Sequence, residues 1–471
     1  MPKKTIYFVS LGCPKNRVDS EVMLGVAAKA GYHLVDEPER ASTVVVNTCG
    51  FIGEAKKESI DTIFELAELK KEGSLKKLVV AGCLSQRYPT ELSAQMPEVD
   101  HFLGSSDMLK LGEVLRGDEE ERMLVGNPAD WVVRAKDPRV RTGPRASAYV
   151  KIAEGCNRTC AFCTIPQFRG KQRSRPIDDV VREVEALAAD GTKEINLISQ
   201  DTVAYGRDLK HGGKDVPKEE KTRLAALVRR VADVKGIRWV RVFYLYPETL
   251  DPELVELLAS HPRVVRYVDM PLQHAADAML KRMKRGHGID RQKRVVDGLR
   301  KAIPELSFRT AFIVGHPGET DAEFQELCDF VEWARFDHVG VFRYSDEESC
   351  ASHGLGEKVP AKIASARNRR LMTLQRKISR ARNKERIGKE LEVLVEGTSE
   401  EHEFVMKGRH AGQAPDIDGQ VFLSGAEVQP GEIRRVRITQ ASDYDLVGDV
   451  VDEGDVSAPP KKRRVGLRIV S

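Results

Sequence analysis

The sequence predicts an α/β chain in three structured parts: an N-terminal doubly wound parallel-sheet domain, a partial (βα)6 barrel and a small C-terminal antiparallel β-barrel. Three observations predict it. Apolar, β-branched runs alternate with amphipathic helical stretches through residues 1–125, the pattern of a parallel sheet covered by helices. The alternation resumes within 142–375, where six further strand-like runs are separated by helical segments. Over 386–450 it gives way to short β runs split by Gly, Pro and Asp turns, as in small closed barrels. The basic tail, 451–471, is expected to be disordered.

In the first part the strand-like runs are Thr5–Gly12, Ser42–Thr48 and Lys77–Gly82, with helices expected over about 17–30, 53–71 and 86–95. Each run is followed directly by a cysteine: Cys13, Cys49 and Cys83. Parallel strands in such a sheet share one carboxyl edge, where ligands bind. Three cysteines far apart in sequence therefore converge there, and the geometry suggests a three-thiolate cluster with one free iron. The plainer alternative is three buried core cysteines. Three strand-end cysteines in succession, two of them after glycine, favour the cluster.

In the second part the runs are Tyr149–Ala153, Glu194–Ser199, Trp239–Tyr244, Arg266–Met270, Phe308–Val314 and His338–Arg343. An open barrel of this kind carries its chemistry at the carboxyl ends of the strands. Polar or special residues follow all six: a cysteine loop, Gln200-Asp201-Thr202, Tyr246-Pro247, Pro271 with Gln273-His274, Gly315-His-Pro-Gly-Glu319, and Tyr344-Ser345-Asp346. Asp321 reads as a plain helix N-cap ahead of Glu323 and Phe324. Gly315, Pro317 and Gly318 allow tight backbone approach, which would suit a nucleoside wall.

The cysteine loop holds Cys156, Cys160 and Cys163 in a CxxxCxxC spacing. Three thiolates can bind three irons of a [4Fe–4S] cluster and leave the fourth open to a small molecule. Ferredoxin runs use another spacing and a fourth cysteine. A structural zinc site needs a second ligand pair close by, and none follows. Of the remaining cysteines, Cys328 reads as a core residue on an amphipathic helix, and Cys350 has no partner motif.

In the third part strands are expected at Leu391–Val395, Glu403–Met406, Gln420–Leu423, Glu432–Ile438 and Leu446–Val450. Residues 388–450 carry six Lys/Arg against thirteen Asp/Glu, a net charge of −7. A phosphate backbone needs basic side chains to replace its counterions, so this barrel suits a basic protein better than RNA. The whole chain of 471 residues is 41% hydrophobic and 31% charged, with a net charge of +4, too small to argue for nucleic acid. No apolar run approaches the ~20 residues that span a bilayer, and Met1–Phe8 lacks a signal-peptide pattern. A cytoplasmic protein without membrane contact is expected, with eight cysteines serving metal or catalysis.

Taken together, Gly12–Glu21, Asn47–Ile52, the Cys156–Cys163 loop, Pro271–His274 and Phe312–Thr320 resemble the methylthiotransferases, the two-cluster branch of the radical S-adenosylmethionine (SAM) enzymes. The resemblance extends to about Val450 and implies a cluster-binding N-terminal domain, a radical SAM domain and a C-terminal TRAM domain. Pro14-Lys15-Asn16 after the first cysteine, Ser199–Thr202, and Gln413–Gly419 are similar to the RimO type, which modifies a ribosomal protein, and not to the tRNA-modifying MiaB type. His316 departs from the more usual Phe or Tyr.

The resemblance implies two [4Fe–4S] clusters, one on Cys156, Cys160 and Cys163, the other on Cys13, Cys49 and Cys83. One SAM would methylate a sulfur held at the second cluster. Another would give the adenosyl radical that abstracts hydrogen from an aspartate β-carbon of the twelfth small-subunit ribosomal protein, free or in an assembling subunit. SAM contacts are expected from Phe162, Gln200, Asp201 and Gly315. A flavodoxin- or ferredoxin-like reductant and a sulfur donor are the further partners implied. The alternatives are a tRNA adenosine methylthiotransferase of the MiaB type and, from another class, a non-catalytic iron–sulfur carrier or sensor.

Overall fold

The structure, a computed structural model, describes residues 4–73, 75–209, 223–247, 250–400, 404–425, 427–452 and 454–456. It divides into two compact units, 1–379 and 380–471. The expected N-terminal and barrel parts lie together in the first. No helix among the described residues is long and apolar enough to cross a membrane.

The first unit begins with β1 (Thr5–Ser10), α1 (Pro14–Lys29), β2 (His33–Leu34), β3 (Thr43–Thr48), α2 (Gly53–Lys71), β4 (Lys77–Gly82), α3 (Cys83–Arg87), α4 (Pro89–Gln95), β5 (His101–Leu103), α5 (Leu111–Arg116) and β6 (Met123–Leu124). The six strands form one parallel sheet in the order β2-β1-β3-β4-β5-β6. Sequence pattern foresaw only β1, β3 and β4; the others are two or three residues long, too short to leave a periodic signal. Every residue of β3 is buried, because helices cover both faces. α2 and α4 pack Ile63, Leu66 and Leu92 on one side, while α1 and α5 pack Met23, Leu111 and Val114 on the other. The strand order reverses between β1 and β3, the switch point at which doubly wound sheets open a binding crevice.

The barrel continues with β7 (Ser147–Lys151), β8 (Ala153–Glu154), α6 (Ile165–Arg169), β9 (Arg173–Ser174), α7 (Ile177–Ala189), β10 (Glu194–Ile198), α8 (Leu224–Ala232), β11 (Trp239–Val242), α9 (Pro252–Ser260), β12 (Tyr267–Asp269), α10 (Asp277–Arg282), α11 (Ile289–Ala302), β13 (Ser307–Val314), α12 (Asp321–Ala334), β14 (His338–Arg343) and α13 (Ala361–Lys384). All six expected barrel strands are present. They form parallel triplets, β11-β10-β7 and β12-β13-β14, joined by a bridge from Val240 to Val264. Among the described residues β7 and β14 do not pair, so the barrel stays open between them. Helix α7 shows why the helices sit outside: Val180, Val184 and Leu187 share its buried face.

One local expectation is corrected. The cap of α12 is Thr320, not Asp321: the Thr320 hydroxyl accepts from the Glu323 N–H and Glu323 returns a bond to the Thr320 N–H, a capping box. Asp321 instead pairs with Arg367 at 2.7 Å.

The second unit is a closed barrel of β15 (Glu390–Thr398), β16 (Met406–His410), β17 (Val421–Ser424), β18 (Ile433–Ala441) and β19 (Leu446–Val450), in the order β15-β16-β17-β19-β18. It is not antiparallel throughout, because β17 and β19 pair parallel. Strand positions in sequence do not reveal which edges meet. Its core is Val393, Val395, Val421, Val436, Ile438 and Leu446. Glu403, expected to begin the second strand, and residues 457–471 of the basic tail lie outside the described residues.

Candidate functional site

The sheet's switch point brings the dispersed cysteines together. Cys13 is the N-cap of α1, Cys49 follows β3 and Cys83 opens α3. Two glycines make the approach possible. Gly12 has φ +91°, and a Cβ there would stand 2.8 Å from the Cys49 Cβ. A Cβ on Gly50 would stand 2.8 Å from the Cys83 carbonyl carbon. Asn16 ties the strand ends, donating to the carbonyls of Leu11 at 3.0 Å and Thr48 at 2.9 Å.

The local triplet sits on the turn between β8 and α6. The Cys156 N–H donates to the Gly170 carbonyl at 3.1 Å, the Cys163 N–H to the Cys160 carbonyl at 3.2 Å, and the Ala161 N–H to the Met283 carbonyl at 3.0 Å. The short β8–β9 ribbon that carries this turn was not foreseen. Arg285 donates to the Cys160 sulfur at 3.5 Å.

Both sets open onto one cavity of 480 Å³, lined by all six cysteines. Phe162, Gln200 and Asp201 line it, and so do Tyr246, Pro271, Gln273, Tyr344 and Ser345 from the other strand ends. Gly315 does not. Its φ is +77° and an added Cβ would meet the Ala364 Cβ at 2.5 Å. The glycine lets α13 pack against the barrel; it is not a wall of this cavity. His316 is buried beside it, with Nε2 2.8 Å from the Ser352 hydroxyl, and burial holds its imidazole down to about 4. His274 is likewise buried, 3.2 Å from Glu319.

Several wall residues escaped the sequence reading. Arg169 ends α6, yet its guanidinium donates to the Cys83 sulfur at 3.2 and 3.0 Å. It also bonds Asp19 at 2.8 Å and Asn16 Oδ1 at 2.6 Å. Asp19 in turn pairs with Lys151 at 2.7 Å, both fully buried, and Lys151 pairs with Glu154. This network joins sheet and barrel. Burial pushes the Glu154 carboxyl up, but Lys151 and Arg169 overcome that and hold it down to about 2. Arg158 pairs with Asp201 at 2.6 Å and lies 3.6 Å from the Tyr246 ring centroid. Lys15 reaches over Tyr244, its Nζ 3.2 Å from the ring centroid, and burial pulls its ammonium down to about 8.

The thiols themselves fit a metal cluster. Burial pushes Cys83 and Cys163 up to about 12 and Cys156 up to about 11, so thiolates here require a compensating cation, as iron supplies. Among the described residues no three His, Cys, Asp or Glu side chains close on a single ion. Two open thiol triads facing a shared cavity suit a polynuclear cluster, whose metal ions are spread over several positions. A polar co-substrate also fits: Gln200 Oε1 and Asp201 Oδ1 are buried without a hydrogen-bond partner. Cys328 is a core residue, as expected. Cys350 is buried and close enough to add to the upward push on Cys163, a proximity invisible in the sequence.

In the second unit Arg409 pairs with Glu396 and Arg434 with Asp452, both at 2.7 Å, and both arginines are buried. Two of the six cations are thus withdrawn from its surface, each neutralised by a carboxylate, and the acidic balance of the barrel is kept.

Known proteins bear on this arrangement. The radical SAM superfamily profile matches residues 150–331, the uncharacterized protein family UPF0004 matches 5–104, and the TRAM domain matches 387–451. The chain is 68% identical to a protein of Sorangium cellulosum (strain So ce56) called ribosomal protein uS12 methylthiotransferase RimO, over 100% of this chain and 98% of that one. A relative of the same name from Myxococcus xanthus (strain DK1622) is 49% identical over 98% of this chain and 94% of its own. Among solved structures, the radical SAM methyltransferase TsrM of Kitasatospora setae superposes with a TM-score of 0.51 at 16% identity, covering 72% of this chain and 75% of its own. That likeness concerns the fold.

Proposed function

The chain belongs to the RimO family of ribosomal protein uS12 methylthiotransferases, and on that premise we propose that it replaces a hydrogen on an aspartate β-carbon of uS12 with a methylthio group. One observation carries the reading: all six cysteines line the same cavity. An unactivated C–H bond offers no handle to a side-chain acid or base, and the bound clusters and SAM supply the one-electron cleavage and sulfur transfer that it demands.

The chain's own residues place and enclose. In this reading Cys156, Cys160 and Cys163 hold one cluster beside Phe162, Gln200 and Asp201. Cys13, Cys49 and Cys83 hold the other across the cavity. Arg169 steadies the Cys83 thiolate with two N–H donors, which are stronger for being charged. Tyr244, Tyr246 and Ile313 give the cavity an apolar wall that helps to exclude water from reactive species. The acidic C-terminal barrel suits a basic ribosomal protein. A flavodoxin- or ferredoxin-like reductant and a sulfur donor complete the reading, in the cytoplasm where uS12 is made.

The test is a paired assay with anaerobically reconstituted protein, SAM, sulfide and a reductant. One tube holds a uS12 peptide and the other an anticodon stem-loop. Mass spectrometry should find the methylthio product on the peptide alone; product on the RNA alone would overturn the reading.

A further inference from the structure

We propose that Lys15 is the residue that grips the side-chain carboxylate of the substrate aspartate, and so sets the choice of an aspartate over a neutral side chain or a nucleobase. The inference rests on the uS12 reading above and deepens it.

Lys15 lies two residues after Cys13, on the first turn of α1, and lines the shared cavity. It is 8% exposed. A lysine this buried is ordinarily paired with a carboxylate. The other cavity cations are: Arg158 with Asp201, Arg169 with Asp19, and Arg343 with Glu54, while Arg285 donates to the Pro271 carbonyl at 2.8 Å. Among the described residues the Lys15 side chain makes no hydrogen bond or ion pair; its ammonium lies over the face of Tyr244, with Cys13 and Glu154 acting on it only through their charge. Asp269 stands in the neighbourhood, but it accepts from the Tyr244 N–H at 3.1 Å and sits 4.0 Å from Arg309 Nε. The cation is therefore held in place with its hydrogen-bond donors left for an incoming acceptor.

Its support is built with strain. Tyr244 has φ +58°, a conformation that costs a non-glycine residue free energy and persists where surroundings impose it. The backbone turn, fixed by Asp269, carries the ring under the Lys15 ammonium, where a cation–π contact holds it.

Position decides the ligand. Arg158 and Arg285 stand by Cys156 and Cys160, on the SAM side. Lys15 stands by Cys13 on the side where the sulfur would be held. The aspartate carboxylate is one bond from the β-carbon that reacts. A lysine gripping that carboxylate fixes the reacting carbon between the two cysteine sets. A nucleobase carries no anion at the corresponding place and would leave this ammonium buried and unpaired.

The experiment measures equilibrium binding to the full chain carrying both clusters. The probes are a fluorescent uS12 peptide with Asp at the target position and its Asn isostere. Wild-type protein should bind the Asp peptide about tenfold to hundredfold more tightly, the range for a hydrogen bond to a charged group. K15M, which keeps the apolar contact with Tyr244, should bind both peptides equally, and K15R should keep the preference. K15Q replaces K15M, with the same expectation, where K15M does not fold. A wild-type-sized Asp preference in the neutral variant, or equal binding of both peptides by wild type, would overturn this inference alone. Failure of wild type to bind or modify either peptide would overturn the uS12 reading together with it.

Discussion

Cys156, Cys160 and Cys163 come from eight consecutive residues, whereas Cys13, Cys49 and Cys83 come from three strand ends more than thirty residues apart. The local triplet is shaped by its own turn, with the Cys163 N–H bonded to the Cys160 carbonyl. The dispersed set exists only while β1, β3 and β4 are in register and Gly12 and Gly50 let neighbouring strand ends approach. Their surroundings differ as well. Cys83 takes two bonds from a buried guanidinium that belongs to the barrel, while Cys160 takes one longer contact from Arg285. The comparison teaches that one site can be written in spacing and the other only in topology, and that the second depends on the first part's packing against the barrel.

The largest expected effect separates the two by ligand loss. Cys160→Ala should abolish reductive SAM cleavage, measured as 5′-deoxyadenosine, while the iron held by the other set survives. Cleavage at the wild-type rate would break the distinction. Next comes Arg169→Met. Removing one partner from a buried ionic network costs about 3–5 kcal/mol, read as a lower denaturant midpoint. Loss of positive charge beside Cys83 should also lower the reduction potential of the dispersed set and leave that of the local set in place, read by a redox titration followed by electron paramagnetic resonance. Equal shifts in both sets would blur the comparison.

Acid should act on the same joint. The folded Glu154 carboxyl titrates at about 2 against an ordinary value of 4.5. A depressed carboxyl contributes stability that is complete above the unfolded value and is lost as pH falls through the folded one. Stability should therefore decline between about pH 4.5 and 2, and Glu154→Gln should flatten that part of the profile in an acid titration of unfolding. The smallest effect concerns a residue outside the cavity. Gly315→Ala should destabilise by about 1–3 kcal/mol through overpacking against Ala364, with SAM affinity nearly unchanged in a binding titration. A large loss of affinity would return Gly315 to the site.

Much of this was legible before the structure. CxxxCxxC is a local pattern, so its meaning survives without a fold. Cys13, Cys49 and Cys83 were legible one step later, because apolar runs ending in cysteine imply a shared sheet edge. Arg169 was not legible: six residues beyond Cys163, it reads as a helix-end cation, and only the docking of α6 on α3 aims it at Cys83. Tyr244 was hidden because a positive φ on a tyrosine has no sequence signature. Gly315 misled because a strand-end glycine looks the same whether a ligand or a helix approaches it. The parallel β17–β19 seam was missed because strand order along the chain does not specify which edges close a barrel.

The most direct test of the division of labour is Cys13→Ala, assayed for two products in one reaction with SAM, sulfide, reductant and uS12 peptide. The account predicts that 5′-deoxyadenosine is still formed and that methylthiolated peptide is absent. Full methylthiolation by this variant would contradict it, and the dispersed cysteines would then have no part in the chemistry.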